Sequence, residues 1–71
     1  MSFPDLELLT YEKAYEKNKK NADILNYLGL SSAKLGLKEN AEIYYLLGLE
    51  LDKGHKSLKF NLGIFYYYED R

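Results

Sequence analysis

Apolar side chains recur at intervals of three and four residues along most of this chain, in four stretches separated by polar or glycine-containing breaks. Leu8, Tyr11 and Tyr15 mark the first stretch. Leu25, Leu28, Gly29, Ser32 and Leu35 share one face of the second. Ala41, Tyr44, Tyr45, Gly48 and Leu49 follow the i, i+3, i+4, i+7, i+8 pattern of an amphipathic helix, and Leu58, Leu62, Phe65 and Tyr66 outline the fourth. The breaks are Asn18-Lys19-Lys20-Asn21, the turn after Gly36, and Asp52-Lys53-Gly54-His55. Strands would need a two-residue alternation that this pattern lacks. The pattern therefore predicts an all-α fold of about four helices, joined by short connections and packed as antiparallel neighbours.

Residues at the breaks agree with that division. Ser2 can cap the first helix, with Pro4 in the tolerant first turn and Asp5 facing the free amides. Asn21 is a cap for the second helix, and Gly36 is a stop.

Two glycines do not fit a helix propensity argument. Gly29, in Asn26-Tyr27-Leu28-Gly29-Leu30, and Gly63, in Asn61-Leu62-Gly63-Ile64, both lie inside helical patterns, 34 residues apart (63 minus 29). An interior glycine costs a helix roughly 1 kcal/mol relative to alanine, so a pair at a fixed spacing points to close approach of a neighbour. A period of 34 is that of the tetratricopeptide helix-turn-helix, and the chain resembles that family. With Ala22 as repeat position 1, Leu25 stands in place of the family's Trp, Leu28-Gly29 match, Ser32 stands in place of Tyr, and Ala41 and Tyr45 match. Gly48 holds a small-residue position, Leu49-Glu50-Leu51-Asp52 is close to the usual repeat ending, and Lys53 replaces Pro.

The resemblance implies a single tetratricopeptide-like α-solenoid domain over 1–71. It consists of the second helix of a preceding repeat (5–20), a complete repeat (22–55) and the first helix of a following one (56–71). It also implies that Gly29 faces Ala41. The flanks depart from the family's pattern, with Glu7 at a packing-alanine position and Lys59 at a large apolar one. On this register Leu62, Gly63 and Tyr66 are left without a covering helix.

Composition narrows the classes of function. The chain is 46% hydrophobic and 30% charged, as expected of one small globular unit. A domain of this length buries only about 60% of its unfolded surface, and such domains often need disulfides, metals or self-association. There is no cysteine and one histidine, which removes disulfides and thiolate or multi-imidazole metal sites. Ten basic and eleven acidic side chains give a net charge of −1, so nucleic acid is not an expected partner. Met1-Ser2-Phe3-Pro4-Asp5-Leu6-Glu7-Leu8-Leu9 has no basic segment before an apolar core, and no window reaches membrane-span length. A cytoplasmic protein without membrane partner is expected.

No acid/base pair, nucleophile arrangement or phosphate loop reaches the level of a motif, so neither catalysis nor a cofactor is expected. His55 beside Ser57 reads as a surface turn residue. The mixed charges of Lys34, Lys38, Glu39, Glu42, Glu50 and Lys53 read as a solvated face.

In the family the first helices line a concave groove that binds peptides or other proteins. The resemblance places Asp23, Asn26, Leu30, Ala33 and Lys34 on that wall, joined by Ser57, Phe60, Ile64, Tyr67 and Tyr68 from the last helix. Asn26 and Lys34 would orient a ligand backbone or carboxylate, and the aromatics would supply contact area. The family's clamp for chaperone tails is not expected, since Asn26 and Leu30 occupy clamp lysine and asparagine positions. The alternatives are a structural unit that forms homo-oligomers through Leu62, Gly63 and Tyr66, or an engineered or excised repeat fragment.

Overall fold

Each helix boundary has a local cause. The computed structural model describes residues 4–69, which form α1 (Pro4–Lys17), α2 (Ala22–Lys34), α3 (Lys38–Leu51) and α4 (Lys56–Glu69), with no strand among the described residues. The fold is all-α, as the periodicity predicts; the proposed Ser2 cap lies outside the described residues. Asp5 and Glu7 in the first turn of α1 and Lys17 in its last favour the helix dipole. Asn21 takes extended backbone angles and its side-chain oxygen accepts from the Ile24 amide at 3.2 Å, capping α2.

α2 stops at Gly36, whose φ of 79° only glycine adopts without strain. The Leu37 amide then donates to the Ser32 carbonyl at 2.9 Å and the Gly36 amide to that of Ala33 at 3.1 Å, satisfying carbonyls the helix leaves open. Between α3 and α4, Asp52 accepts from the Gly54 amide through its carboxylate (3.2 Å) and from the His55 amide through its carbonyl (3.1 Å). His55 is not the free surface residue the sequence suggests. Its Nδ1 accepts from the Leu58 amide at 3.1 Å, which makes the imidazole the cap of α4.

Packing centres on α2, which contacts all three other helices, while α4 rests on α3 and α2. Leu25, Leu28, Ala41, Tyr45 and Leu58 are buried, with Ala22, Leu49, Leu62 and Phe65 packed around them. Gly48 admits α4: a Cβ there would lie 2.7 Å from Leu58 Cδ1 and 3.3 Å from Leu25 Cβ. Gly29 plays the same part between α2 and α3, where the resemblance implies that it faces Ala41 and the atoms nearest to it belong to the ring of Tyr45. A Cβ at Gly29 would sit 2.6 Å from Tyr45 Cδ1 and 2.8 Å from Cζ. The buried ring, not a second small residue, is what the missing side chain accommodates. Phe65 of α4 then meets Tyr45 edge-on, with ring centroids 6.1 Å apart.

Two expected packing positions are more exposed than the periodicity suggests. Leu35, at the helix end, is outside the buried face, and Tyr66 is largely exposed, its phenol donating to Glu42 Oε2 at 2.5 Å. That hydrogen bond to a carboxylate is the main cause that raises the Tyr66 pKa. On the opposite side Tyr11 of α1 stacks on Tyr27 of α2, 5.0 Å between centroids and 19° between planes. Tyr44 has its pKa raised by burial first and by the charges of Glu12 and Tyr15 of α1 second.

Removing the imidazole in His55→Ala should lower stability by about 1 kcal/mol, the usual worth of an N-cap, which shifts the melting temperature by roughly 4–8 °C in a chain of this size. His55→Asn, which can cap the same amide, should recover part of the loss in thermal denaturation followed by circular dichroism. Equal melting of the alanine variant and the parent would show that the cap carries no stability.

Candidate functional site

The contacts Asp23–His55 and Asn26–Asn61 tie the starts of α2 and α4 together, and beyond them the two helices diverge around an apolar groove. Leu30 and Ala33 of α2 form one wall, Ile64, Phe65 and Tyr68 of α4 form the other, and Tyr45 of α3 lies at the base. The groove encloses about 340 Å³. Asn61 Nδ2 donates to Asn26 Oδ1 at 2.8 Å at one end, and Lys38 Nζ meets Glu69 Oε1 at 3.2 Å beside Gly36 at the other. A part-buried amide pair thus joins the two walls at one end, and at the other a largely exposed ion pair ties the end of α4 to the start of α3. Such an ion pair is worth little as stability.

A second, shallower depression of about 480 Å³ runs along α4 between Lys59, Phe60, Gly63, Ile64, Tyr67 and Tyr68. Ile64 and Tyr68 border both depressions, so the two form one continuous surface. Phe60 and Tyr67 are 68% and 71% exposed, values that are unusual for adjacent aromatic residues on one helix face. The rings of Tyr67 and Tyr68 lie edge to face, 5.3 Å between centroids.

A third depression, of about 380 Å³, is polar and lies among Asn18, Lys20, Asn21, Asp23, Asp52 and His55. Because Nδ1 of His55 accepts the Leu58 amide hydrogen, the ring proton sits on Nε2, which donates to Asp23 Oδ1 at 2.5 Å. Both ring nitrogens are used in holding α4 to α2, and neither is placed to take a proton from a ligand.

The ten groove residues expected from the sequence divide into three groups. Leu30, Ala33, Ile64 and Tyr68 come together in the α2–α4 groove, and Phe60 and Tyr67 in the adjoining depression. Asn26 is only 6% exposed and turned into the Asn61 pair, so it braces the wall instead of presenting a ligand contact. Lys34 pairs with Glu7 of α1 at 3.6 Å, Asp23 holds His55, and Ser57 is exposed outside both depressions. Of the self-association residues, Leu62 is packed against the core, Tyr66 is tied to Glu42, and Gly63 has open space around its Cα.

Sequence reasoning did not place Gly36, Lys38, Tyr45 or Glu69 at the groove. The helical period put Tyr45 in the core, and nothing in the period tells that its ring also forms the base. Lys38 and Glu69 are far apart in sequence and meet only because α4 crosses the start of α3.

Among the described residues no group of three His, Asp or Glu side chains is arranged to hold a metal ion, and no helix is long and apolar enough to cross a membrane. The fold and the groove define a small all-α unit with an open apolar groove. Comparison with protein-family models, with curated proteins and with solved structures finds no match in any of the three.

Proposed function

We propose that this chain is a non-enzymatic, tetratricopeptide-like interaction module that holds a peptide segment of another protein in the α2–α4 groove. The observation that carries this reading is the continuous apolar surface of Leu30, Ala33, Ile64, Tyr68, Tyr67 and Phe60, open along one side and braced at both ends of its main groove. The 34-residue echo of Leu-Gly, with Ala41, Tyr45 and Gly48 between, supports the family assignment.

The groove works by preorganisation. Its walls are helices joined by the Asn26–Asn61 hydrogen bond and packed on the shared base at Tyr45, so little order is lost when a ligand enters. A volume of about 340 Å³ takes one bulky aliphatic or aromatic side chain with part of its neighbours. The exposed rings of Phe60 and Tyr67 extend contact along the peptide at low entropic cost.

The test is selection of binders from a random peptide library, followed by calorimetry. Ile64→Asp, at a groove position that is 40% exposed, should weaken a selected peptide at least about tenfold, the cost of burying a charge in an apolar contact. Ile43→Asp on the outer side of α3 should leave the affinity unchanged. Equal affinity for the parent and Ile64→Asp would remove the groove as the binding site.

A further inference from the structure

We propose that α4 of one molecule is covered by α1 and α2 of a second copy, in a head-to-tail contact that repeats the molecule's own α2–α3–α4 packing. The proposal rests on the internal 34-residue correspondence; it takes up Phe60 and Gly63 of the shallower depression, which the peptide-binding reading also uses, and does not involve the α2–α4 groove residues Leu30 and Ala33. A shift of 34 residues carries α1 onto α3 and α2 onto α4, so Tyr11 corresponds to Tyr45, Ala14 to Gly48, Tyr27 to Asn61 and Gly29 to Gly63. Inside the molecule, the socket at Gly29 is filled by the ring of Tyr45. The equivalent socket at Gly63 is open: among the described residues nothing lies within 4 Å of the position a Cβ would take.

The molecule carries the matching plug at its opposite end. If α4 takes the place of α2, then α1 and α2 of the next copy take the places of α3 and α4, and each internal contact across the interface has a counterpart. Gly29–Tyr45 becomes Gly63 with the next copy's Tyr11, again an open position against an aromatic ring. Asn26–Asn61 becomes Phe60 with Tyr27, and both of these rings are exposed in the single molecule. Asp23–His55 becomes Ser57 with Asn21, polar against polar.

The copy is not exact: Phe60 and Tyr27 are larger than the asparagine pair they replace, so the helices stand further apart there, and Lys59 and Glu7 take the places of buried Leu25 and Ala41, so their charged ends must reach water at the rim. Leu25, whose Cβ approaches Gly48, becomes Lys59 over Ala14, where the lysine stem can lie on the small side chain with its ammonium in water. α2 and α3 are antiparallel at their contact, since Gly29 meets Tyr45 and Leu25 meets Gly48. The copied geometry therefore brings Lys56 and Lys59 to the end of α1 where Glu12 and Glu16 alternate with Lys13 and Lys17, so the charges there are mixed and the contact rests on its shape and its aromatic pairs.

A contact between two different surfaces leaves a fresh α4 at the end of each added copy, so the assembly is open-ended instead of closing as a symmetric dimer. In sedimentation equilibrium the average mass of the parent chain should rise with concentration beyond that of a dimer. Gly63→Lys fills the socket at a site its own fold leaves open, and Tyr27→Asp spoils the complementary surface. Each variant alone should be monomeric, and a mixture of the two should give a 1:1 dimer, because each keeps one sound end.

A parent that stays monomeric at all concentrations overturns the proposal. So does a mixture that stays monomeric, or a Tyr27→Asp variant that still dimerises, which would signify a symmetric α4–α4 contact. Should Tyr27→Asp lose helicity, the cysteine-free background provides a second reading. Oxidation of the double variant Tyr27→Cys, Phe60→Cys should yield a ladder of covalent multimers that neither single variant gives, and absence of the ladder counts against the contact. Peptide affinity measured on monomeric Tyr27→Asp, whose change lies outside both depressions, separates failure of this contact from failure of the groove.

Discussion

Tyr45→Ala is expected to unfold most of the protein at room temperature. The ring is 1% exposed, fills the space opposite Gly29, and carries the edge of Phe65, so it links α2, α3 and α4 at once. Truncating a buried aromatic side chain costs about 3–5 kcal/mol, comparable to the lower end of the roughly 5–15 kcal/mol that stabilises a domain. Urea denaturation of the parent and the variant measures the difference directly. A loss under about 1 kcal/mol would mean that the ring is not the keystone between the helices.

Tyr45→Phe isolates the hydroxyl. Burial pushes the Tyr45 phenol up to about 12, so the native state keeps a proton that the unfolded chain releases near pH 10. Its contribution is complete below pH 10 and is lost as the pH rises towards 12, by roughly 2–3 kcal/mol. Tyr45→Phe should therefore lose less stability than the parent over that interval. Parallel curves for the two proteins between pH 10 and 12 would contradict the burial of the phenol.

Alanine at the two echoing glycines should act with opposite signs. Each substitution gains up to about 1 kcal/mol in helix propensity. At Gly63, where the space is open, that gain is expected to appear as added stability. At Gly29 the new methyl group would overlap the Tyr45 ring, and overpacking of a filled site costs about 1–3 kcal/mol, which outweighs the propensity. Gly29→Leu should prevent folding. Thermal melts of Gly29→Ala and Gly63→Ala side by side decide the matter: two stabilised variants would mean that the Gly29 socket is looser than its distances say.

The sequence makes the fold legible where causes are local. Asn21 and Gly36 act within five residues of their own positions, and the helix period is repeated several times in each stretch, so boundaries and the all-α class follow from pattern alone. What lies across helices is less accessible. The family pattern pairs Gly29 with Ala41, but the ring of Tyr45, one turn further along α3, lies nearest, and spacing does not report where a large side chain turns. Asn26 looks like a ligand contact because it is polar on a wall of small and apolar residues. It is instead satisfied by Asn61, 35 positions away, once α4 is laid beside α2. His55 looks idle in a turn for the same reason: Asp23 comes within reach only through the fold. The aromatic half of the surface comes from the family resemblance, which sets Phe60, Ile64, Tyr67 and Tyr68 on one face of the last helix, while the period alone puts Phe65 in the core and does not tell that it also lines the groove.

The most direct measurement is a nuclear magnetic resonance titration of the labelled protein with a selected peptide, following every assigned amide and methyl group. Shift changes and intermolecular contacts concentrated at Leu30, Ala33, Ile64 and Tyr68, with Phe60 and Tyr67 at the margin, are the expected result. Changes centred on Ile43, Leu46 and Leu47, the exposed apolar residues on the far side of α3, would contradict a ligand site between α2 and α4.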